Sequence, residues 1–156
     1  MSKSLKRVRA AIEAAGLDTT ILEMPGGTRT AADASREAGC EIDQIAKSII
    51  FRGETTGNVV LFITAGGRQV DPVRAAALAG EALGRADADF VRQTTGFAIG
   101  GVAPLGHLTE PRIFFDRTLL GFETVYAAAG TPRHIFSVEP RALQRICDAQ
   151  VSDFIS

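Results

Sequence analysis

Long apolar runs are missing from this chain. No stretch approaches the ~20 residues that span a bilayer, so no membrane role is expected. Cysteine is scarce: Cys40 and Cys147 stand apart without CxxC spacing, and the whole sequence holds only two histidines, His107 and His134. Neither a disulfide framework nor a metal site is expected. Two reduced thiols in the cytoplasm is the default reading. There is no excess of positive charge either. The formal net charge is −1, which weighs against coating nucleic acid by bulk charge. A local patch remains open, with Lys3, Lys6, Arg7 and Arg9 as its candidates. The basic start is followed by no secretory h-region, and Glu13 and Asp18 weigh against a transit peptide. Repeats, low-complexity tracts and linkers are also lacking.

What is present is 156 residues, 46% of them apolar and 22% charged. That describes one soluble globular domain, residues 1–156, long enough to bury a core. Leu5, Val8, Ile12 and Ala15 fall on one face of a helix over 4–15, ended by Gly16. Thr19–Glu23 is β-prone, and Pro25-Gly26-Gly27 breaks the chain. Thr30 is placed to cap a helix through Ala38, with Asp33 in its first turn and Gly39 after its end. Ile45–Phe51 and Val59–Thr64 read as strands of a hairpin around residues 52–58. Asp71-Pro72 opens a helix to about Ala79, and Asp87 opens another that stops at Gly96. Arg112–Phe115, Glu123–Ala128 and Ile135–Val138 are further strand candidates. Glu139-Pro140 starts a last helix to about Cys147. Strict β-α-β-α alternation is absent. The expected class is therefore α+β: a mixed, largely antiparallel sheet wrapped by helices.

Two places invite chemistry. Lys47 stands between Ile45 and Ile49 on one face of a β-rich run, where burying a charge is costly unless it is paired or used. The alternative is a strand-end lysine that snorkels to water. The segment Gly96-Phe-Ala-Ile-Gly-Gly-Val-Ala-Pro-Leu-Gly106 concentrates glycine. Its bare amides suit an anion or a polarised carbonyl, although a plain tight turn would use the same residues. It matches neither the Walker pattern nor GxGxxG. Thr30 and Asp116 read first as caps, with Asp116 alternatively a pocket acceptor. His107 could shape a pocket rim. No Ser-His-Asp arrangement announces itself, and Cys40 lacks a base nearby in sequence.

Taken together, Lys47 and the Gly-Gly-Val-x-Pro loop at this spacing resemble the YbaK family. These are free-standing relatives of the editing domain inserted in bacterial prolyl-tRNA synthetases. The likeness runs from about Thr28 to Leu143. Its segments are Thr30-Ala-Ala-Asp-Ala34, Gln44-Ile-Ala-Lys-Ser48, Arg68-Gln-Val-Asp71, Thr95 to Gly106, Phe115-Asp116 and Ala128-Ala-Gly130. The resemblance implies a mixed sheet or open barrel surrounded by helices. It also implies hydrolysis of the ester joining a non-cognate amino acid to tRNA, typically tRNA(Pro). The lysine matching Lys47 is essential in that family, and the loop matching Gly100–Gly106 lines the amino-acid pocket. No metal or organic cofactor is implied. The loop is more similar to YbaK-like branches than to dedicated alanyl-tRNA(Pro) editors. Cysteine, alanine, 2-aminobutyrate, serine and threonine all stay open as the amino acid removed.

An aminoacyl ester is already activated. A site for it needs a cation, amides for the tetrahedral oxyanion, and a small pocket. Lys47 would be the cation; Gly100, Gly101 and Val102 would give the amides; Phe97 and Pro104 would wall the pocket. Thr30, Ser48, Gly96, Gly106, Asp116 and Gly130, by their places in the matching segments, and His107, which follows the loop, complete the candidate substrate-binding set. A neighbouring ribose hydroxyl, or a cysteine thiol, would assist in place of a protein base. The expected partners are aminoacyl-tRNA and prolyl-tRNA synthetase, with the protein a monomer or homodimer. Two other classes remain: a catalytically silent tRNA- or synthetase-binding module, and a small-molecule phosphate or nucleotide binder using the same loop.

Overall fold

The first four helices of this chain start at side chains that accept their first free amides. A computed structural model describes residues 2–156. In it, Ser2 caps α1 (Lys3–Ala14), Thr30 caps α2 (Ala31–Ala38), Asp71 caps α3 (Pro72–Ala79) and Asp87 caps α4 (Ala88–Thr95). Each satisfies N–H groups that have no partner inside the helix. Gly39, Gly80 and Gly96 end their helices in the left-handed conformation. A fifth helix, α5 (Pro140–Ile146), begins with proline in its first turn.

Among the described residues, eight strands form two sheets. The larger has the order β4-β2-β3-β5-β8 and the smaller β1-β7-β6. β2 (Ala46–Gly53) and β3 (Val59–Ala65) make the expected hairpin, with Lys47 opposite Thr64. β5 (Arg112–Asp116) lies parallel to β3, and β8 (Gln150–Ser152) lies parallel to β5. β4 (Leu83–Arg85) covers the other edge of β2. In the small sheet, β1 (Ile21–Glu23) and β6 (Val125–Ala128) both pair antiparallel with β7 (His134–Val138). The sheets meet at a parallel bridge between Ile45 and Tyr126 and do not close into a barrel.

The fold is thus α+β with mixed sheets in one compact domain. It has two sheets instead of one, and β4 and β8 are additional to the strands read from sequence. Each of these two is three residues long, too short to show a periodic pattern, and exists because an edge strand offers it backbone partners.

β3 is buried along its whole length because both faces are covered. Leu61, Ile63 and Ala65 join Phe115, Leu119, Val125, Phe136 and the α1 residues Leu5, Val8 and Ile12 in the main core between the sheets. Val60 and Phe62 face Ala75, Phe114 and Phe154 in a smaller core under α3. The start of β2 lies where the two sheets meet, and the site forms there. Among the described residues no helix is long and apolar enough to cross a membrane.

Candidate active site

A cavity of about 320 Å³ opens at this junction. One wall is the start of β2, with Ile45, Lys47, Ser48 and Ile49. Opposite stand Tyr126 and Ala128 of β6 and Ile135 of β7. The rim is made by Thr28-Arg29-Thr30, entering α2, and by Ile99, Gly100 and Val102 of the glycine loop. The chain thus brings Lys47, Ser48, Thr30, Gly100 and Val102 together.

Lys47 is half-buried, and its ammonium is held by backbone. Nζ donates to the carbonyls of Arg68 at 2.6 Å and Gly66 at 3.2 Å. These belong to the turn after β3, which Asp43 braces by accepting from Gly67 N–H at 2.8 Å. An ammonium has three donors; two are used here, and one remains for a ligand. Burial pushes the Lys47 pKa below its ordinary value, while the nearby Asp43 and Asp116 charges pull it the other way. The side chain is therefore neither freely snorkelled nor sealed in the core.

The glycine loop divides into two sides. Gly100 has a φ of +90°, and a β-carbon there would lie 2.8 Å from Arg29 Cγ. The Arg29 stem thus covers Gly100, while its exposed guanidinium makes no ion pair among the described residues. Among the described residues, the amides of Gly100 and Val102 donate to no backbone carbonyl. Gly101 differs from its expected role. Its N–H already donates to Ala98 O at 3.0 Å, and its φ is not positive.

Several other candidates serve the frame of the site, where sequence had placed them in the pocket. Phe97 is fully buried in the main core. The Arg7 guanidinium lies 5.0 Å above its ring, and the His107 ring meets it edge-on at 5.1 Å. Arg7 also donates to Gly106 O at 3.1 Å and Gly96 O at 2.9 Å. It staples the two ends of the loop together and is not a free cation for nucleic acid. Pro104, Gly106 and His107 face a second hollow on the far side of the loop, shared with Ile113 and Cys147. His107 Nε2 meets Ala103 O at 2.6 Å. Burial, and secondarily the Arg7 charge, push its pKa below the ordinary histidine value against that hydrogen bond. Asp116 is buried, and its carboxylate accepts from Ala65 N–H at 3.0 Å and Thr118 N–H at 2.9 Å. It is a cap tying the end of β3 to the next turn, not a pocket acceptor. Gly130 allows α1 to approach: a β-carbon there would lie 2.8 Å from Ser4 O, and Ser4 Oγ donates to Gly130 O at 2.7 Å.

Sequence reasoning missed Thr28, Arg29, Ile99, Tyr126 and Ile135 as cavity residues. The one available signal was the closeness of Thr28 and Arg29 to the Thr30 cap. Both thiols are held protonated at neutral pH: burial pushes Cys147 up to about 12, and burial with the Glu41 charge raises Cys40. Among the described residues, no group of His, Cys, Asp or Glu is arranged to hold a metal ion.

Residues 26–146 match the model of the aminoacyl-tRNA editing domain, which is most of the chain, and the chain belongs to that family. It is similar to the uncharacterised protein YwhH of Bacillus subtilis (strain 168), 29% identical over 148 residues that span 95% of this chain and 94% of the relative. Among solved structures it is similar to a proposed trans-editing enzyme for prolyl-tRNA synthetase. That protein is 41% identical, with a TM-score of 0.92 over 100% of this chain and 99% of that one. It is also similar to the hypothetical protein APE2540, 29% identical, with a TM-score of 0.89 over 96% and 99% of the two chains.

Proposed function

We propose that this protein is a cytoplasmic aminoacyl-tRNA deacylase acting in trans. On this reading it hydrolyses tRNA(Pro) mischarged with a small amino acid: cysteine, alanine, 2-aminobutyrate, serine or threonine. The observation that carries the reading is that one small cavity is lined by Lys47 and by the two loop residues with unengaged amides, Gly100 and Val102. Family membership and the likeness to a proposed trans-editing enzyme support the same conclusion.

In this mechanism water adds to the ester carbonyl, and the carbonyl oxygen takes the developing negative charge. The amides of Gly100 and Val102 and the third N–H of Lys47 stabilise that oxyanion, with no reorganisation needed at the moment of reaction. The substrate's free ribose hydroxyl orients the water and relays its proton. Collapse releases the ribose oxygen as a hydroxyl and the amino acid as a carboxylate. Lys47 acts electrostatically, since a mostly protonated ammonium is a poor base. Neither a metal nor an organic cofactor takes part. The protein acts as a monomer or homodimer and meets tRNA(Pro) released by prolyl-tRNA synthetase.

Purified protein incubated with a panel of tRNA(Pro) species separately charged with each amino acid tests this. Release of small non-cognate amino acids with prolyl-tRNA(Pro) spared is expected. No release from any species, or efficient release of proline, would overturn the reading.

A further inference from the structure

Among the described residues, two hydroxyls in the cavity have no partner. Thr28 Oγ1 and Ser48 Oγ are buried, and neither makes a hydrogen bond, although both residues line the site. Thr28 is only 6% exposed. Their backbones are held: Thr28 N–H donates to Pro132 O at 2.7 Å, and Ser48 pairs with Ile63 in the β2–β3 ladder. The surrounding lining is otherwise largely apolar, including Ala34, Ile45, Ile49 and Val102. A buried hydroxyl without a partner is costly, and native interiors rarely leave one so. Valine or alanine would fill these positions without that cost. An occupant that brings a polar atom into the cavity would give both hydroxyls a partner.

The charge of the lining restricts that atom. Lys47 and Arg29 are present, and among the described residues no Asp or Glu lines the cavity. An α-ammonium buried against neutral hydroxyls would have no counter-charge. A neutral hydroxyl both donates and accepts, so it can satisfy two protein hydroxyls without burying charge. In the mechanism above the ester carbonyl is assigned to Lys47 and the loop amides, and the ribose hydroxyl to the attacking water. The amino-acid side chain is the remaining substrate group that can reach Thr28 and Ser48. We propose that Thr28 and Ser48 select a hydroxyl on the esterified amino acid, so that seryl and threonyl esters are the preferred substrates. This rests on the deacylase reading above.

The test compares seryl- with alanyl-tRNA(Pro), and threonyl- with 2-aminobutyryl-tRNA(Pro), using wild type, Thr28→Val and Ser48→Ala. Each pair differs by a hydroxyl. Wild type should favour the hydroxyl member in kcat/KM by ~10²-fold or more, since a site built to hydrogen-bond a group rejects an analogue that lacks it. Each variant should lower the kcat/KM ratio of the hydroxyl ester to its partner ester by about 10-fold or more. A second measurement reads recognition without turnover. Calorimetry with non-hydrolysable 3′-seryl- and 3′-alanylamido-adenosine should show tighter binding of the seryl compound to wild type and equal binding to Thr28→Val. Turnover without preference for the hydroxyl, or variants that slow every ester equally, would overturn the selection role and leave the deacylase intact. Tighter seryl binding with no hydrolysis of any ester would overturn the deacylase and leave the selection role standing. Equal binding of both analogues to wild type would overturn the selection role by itself.

Discussion

Gly101 packs against the backbone of Thr131 so closely that a β-carbon on Gly101 would lie 2.6 Å from the Thr131 carbonyl carbon and 3.0 Å from Pro132 N. Backbone cannot swing aside as the end of a flexible side chain can. The reason for glycine here is the contact between the loop and the turn after β6, not an approach to substrate.

Gly101→Ala is therefore expected to lower stability by about 1–3 kcal/mol, the usual cost of overpacking. Turnover should also fall, because moving Gly101 displaces the amides of Gly100 and Val102 on either side. Urea unfolding and deacylation measured on the same preparation check both effects. Unchanged stability would show that the loop can step away from Thr131.

Lys47→Ala should reduce deacylation by ~10²–10³-fold, the scale of losing one donor to an oxyanion, with stability lowered by only about 1 kcal/mol from the two carbonyls it releases. Lys47→Arg should also be poor, because a planar fork does not replace a compact ammonium. Burial lowers the Lys47 pKa, so the enzyme should lose its charged form at a lower pH than an ordinary lysine would. After subtraction of spontaneous ester hydrolysis, the rate should fall on the alkaline side with an apparent pKa below 10.5. Near-normal turnover by the alanine variant would remove Lys47 from the mechanism.

Arg29 holds a free charge at the cavity rim while its stem covers Gly100. Arg29→Gln keeps much of that stem and removes the charge. Its KM for aminoacyl-tRNA should rise and the salt dependence of KM should weaken by about one phosphate contact. Hydrolysis of an aminoacyl-adenosine without phosphates should be unchanged. An equal loss on both substrates would assign Arg29 to the loop's shape instead of phosphate.

His107 makes an acid-stability prediction. Its folded pKa lies below the ordinary 6.5, so between the two values the unfolded chain binds more protons and stability rises with pH. The contribution is present above about pH 6.5 and is lost as pH falls toward the folded pKa. The slope should be no steeper than about 1.4 kcal/mol per pH unit for one group. Thermal midpoints measured from pH 7.5 to 5 should drop less for His107→Gln, whose amide can still donate to Ala103 O. An identical drop in both proteins would place the acid sensitivity elsewhere.

The helices and the central hairpin were legible in the amino-acid order because their causes are local. Thr30 reaches Asp33 N–H, Asp71 reaches the first amides after Pro72, and Asp87 reaches Phe90 N–H. All of these close within three residues and depend on little beyond side-chain type. Lys47 and the glycine loop also stood out, because charge among isoleucines and clustered glycines are local anomalies. What could not be read was which side of the loop each residue faces. Gly100 and Val102 turn to the Lys47 cavity, whereas Pro104, Gly106 and His107 turn to the opposite hollow. Nothing in their spacing distinguishes them.

Sequence alone determined the helix ends, the β2–β3 pairing and the presence of a lysine among isoleucines and a glycine-rich loop. Tertiary structure alone decided that Arg7 staples the loop across 99 residues, that Thr28 and Ser48 share one cavity, and that β5 runs parallel to β3. The physical reason is the range of the forces involved. Caps and hairpins are satisfied by neighbours within a few residues. A buried hydroxyl, a stapling guanidinium or an edge strand takes its meaning from whatever distant backbone the packed core brings beside it.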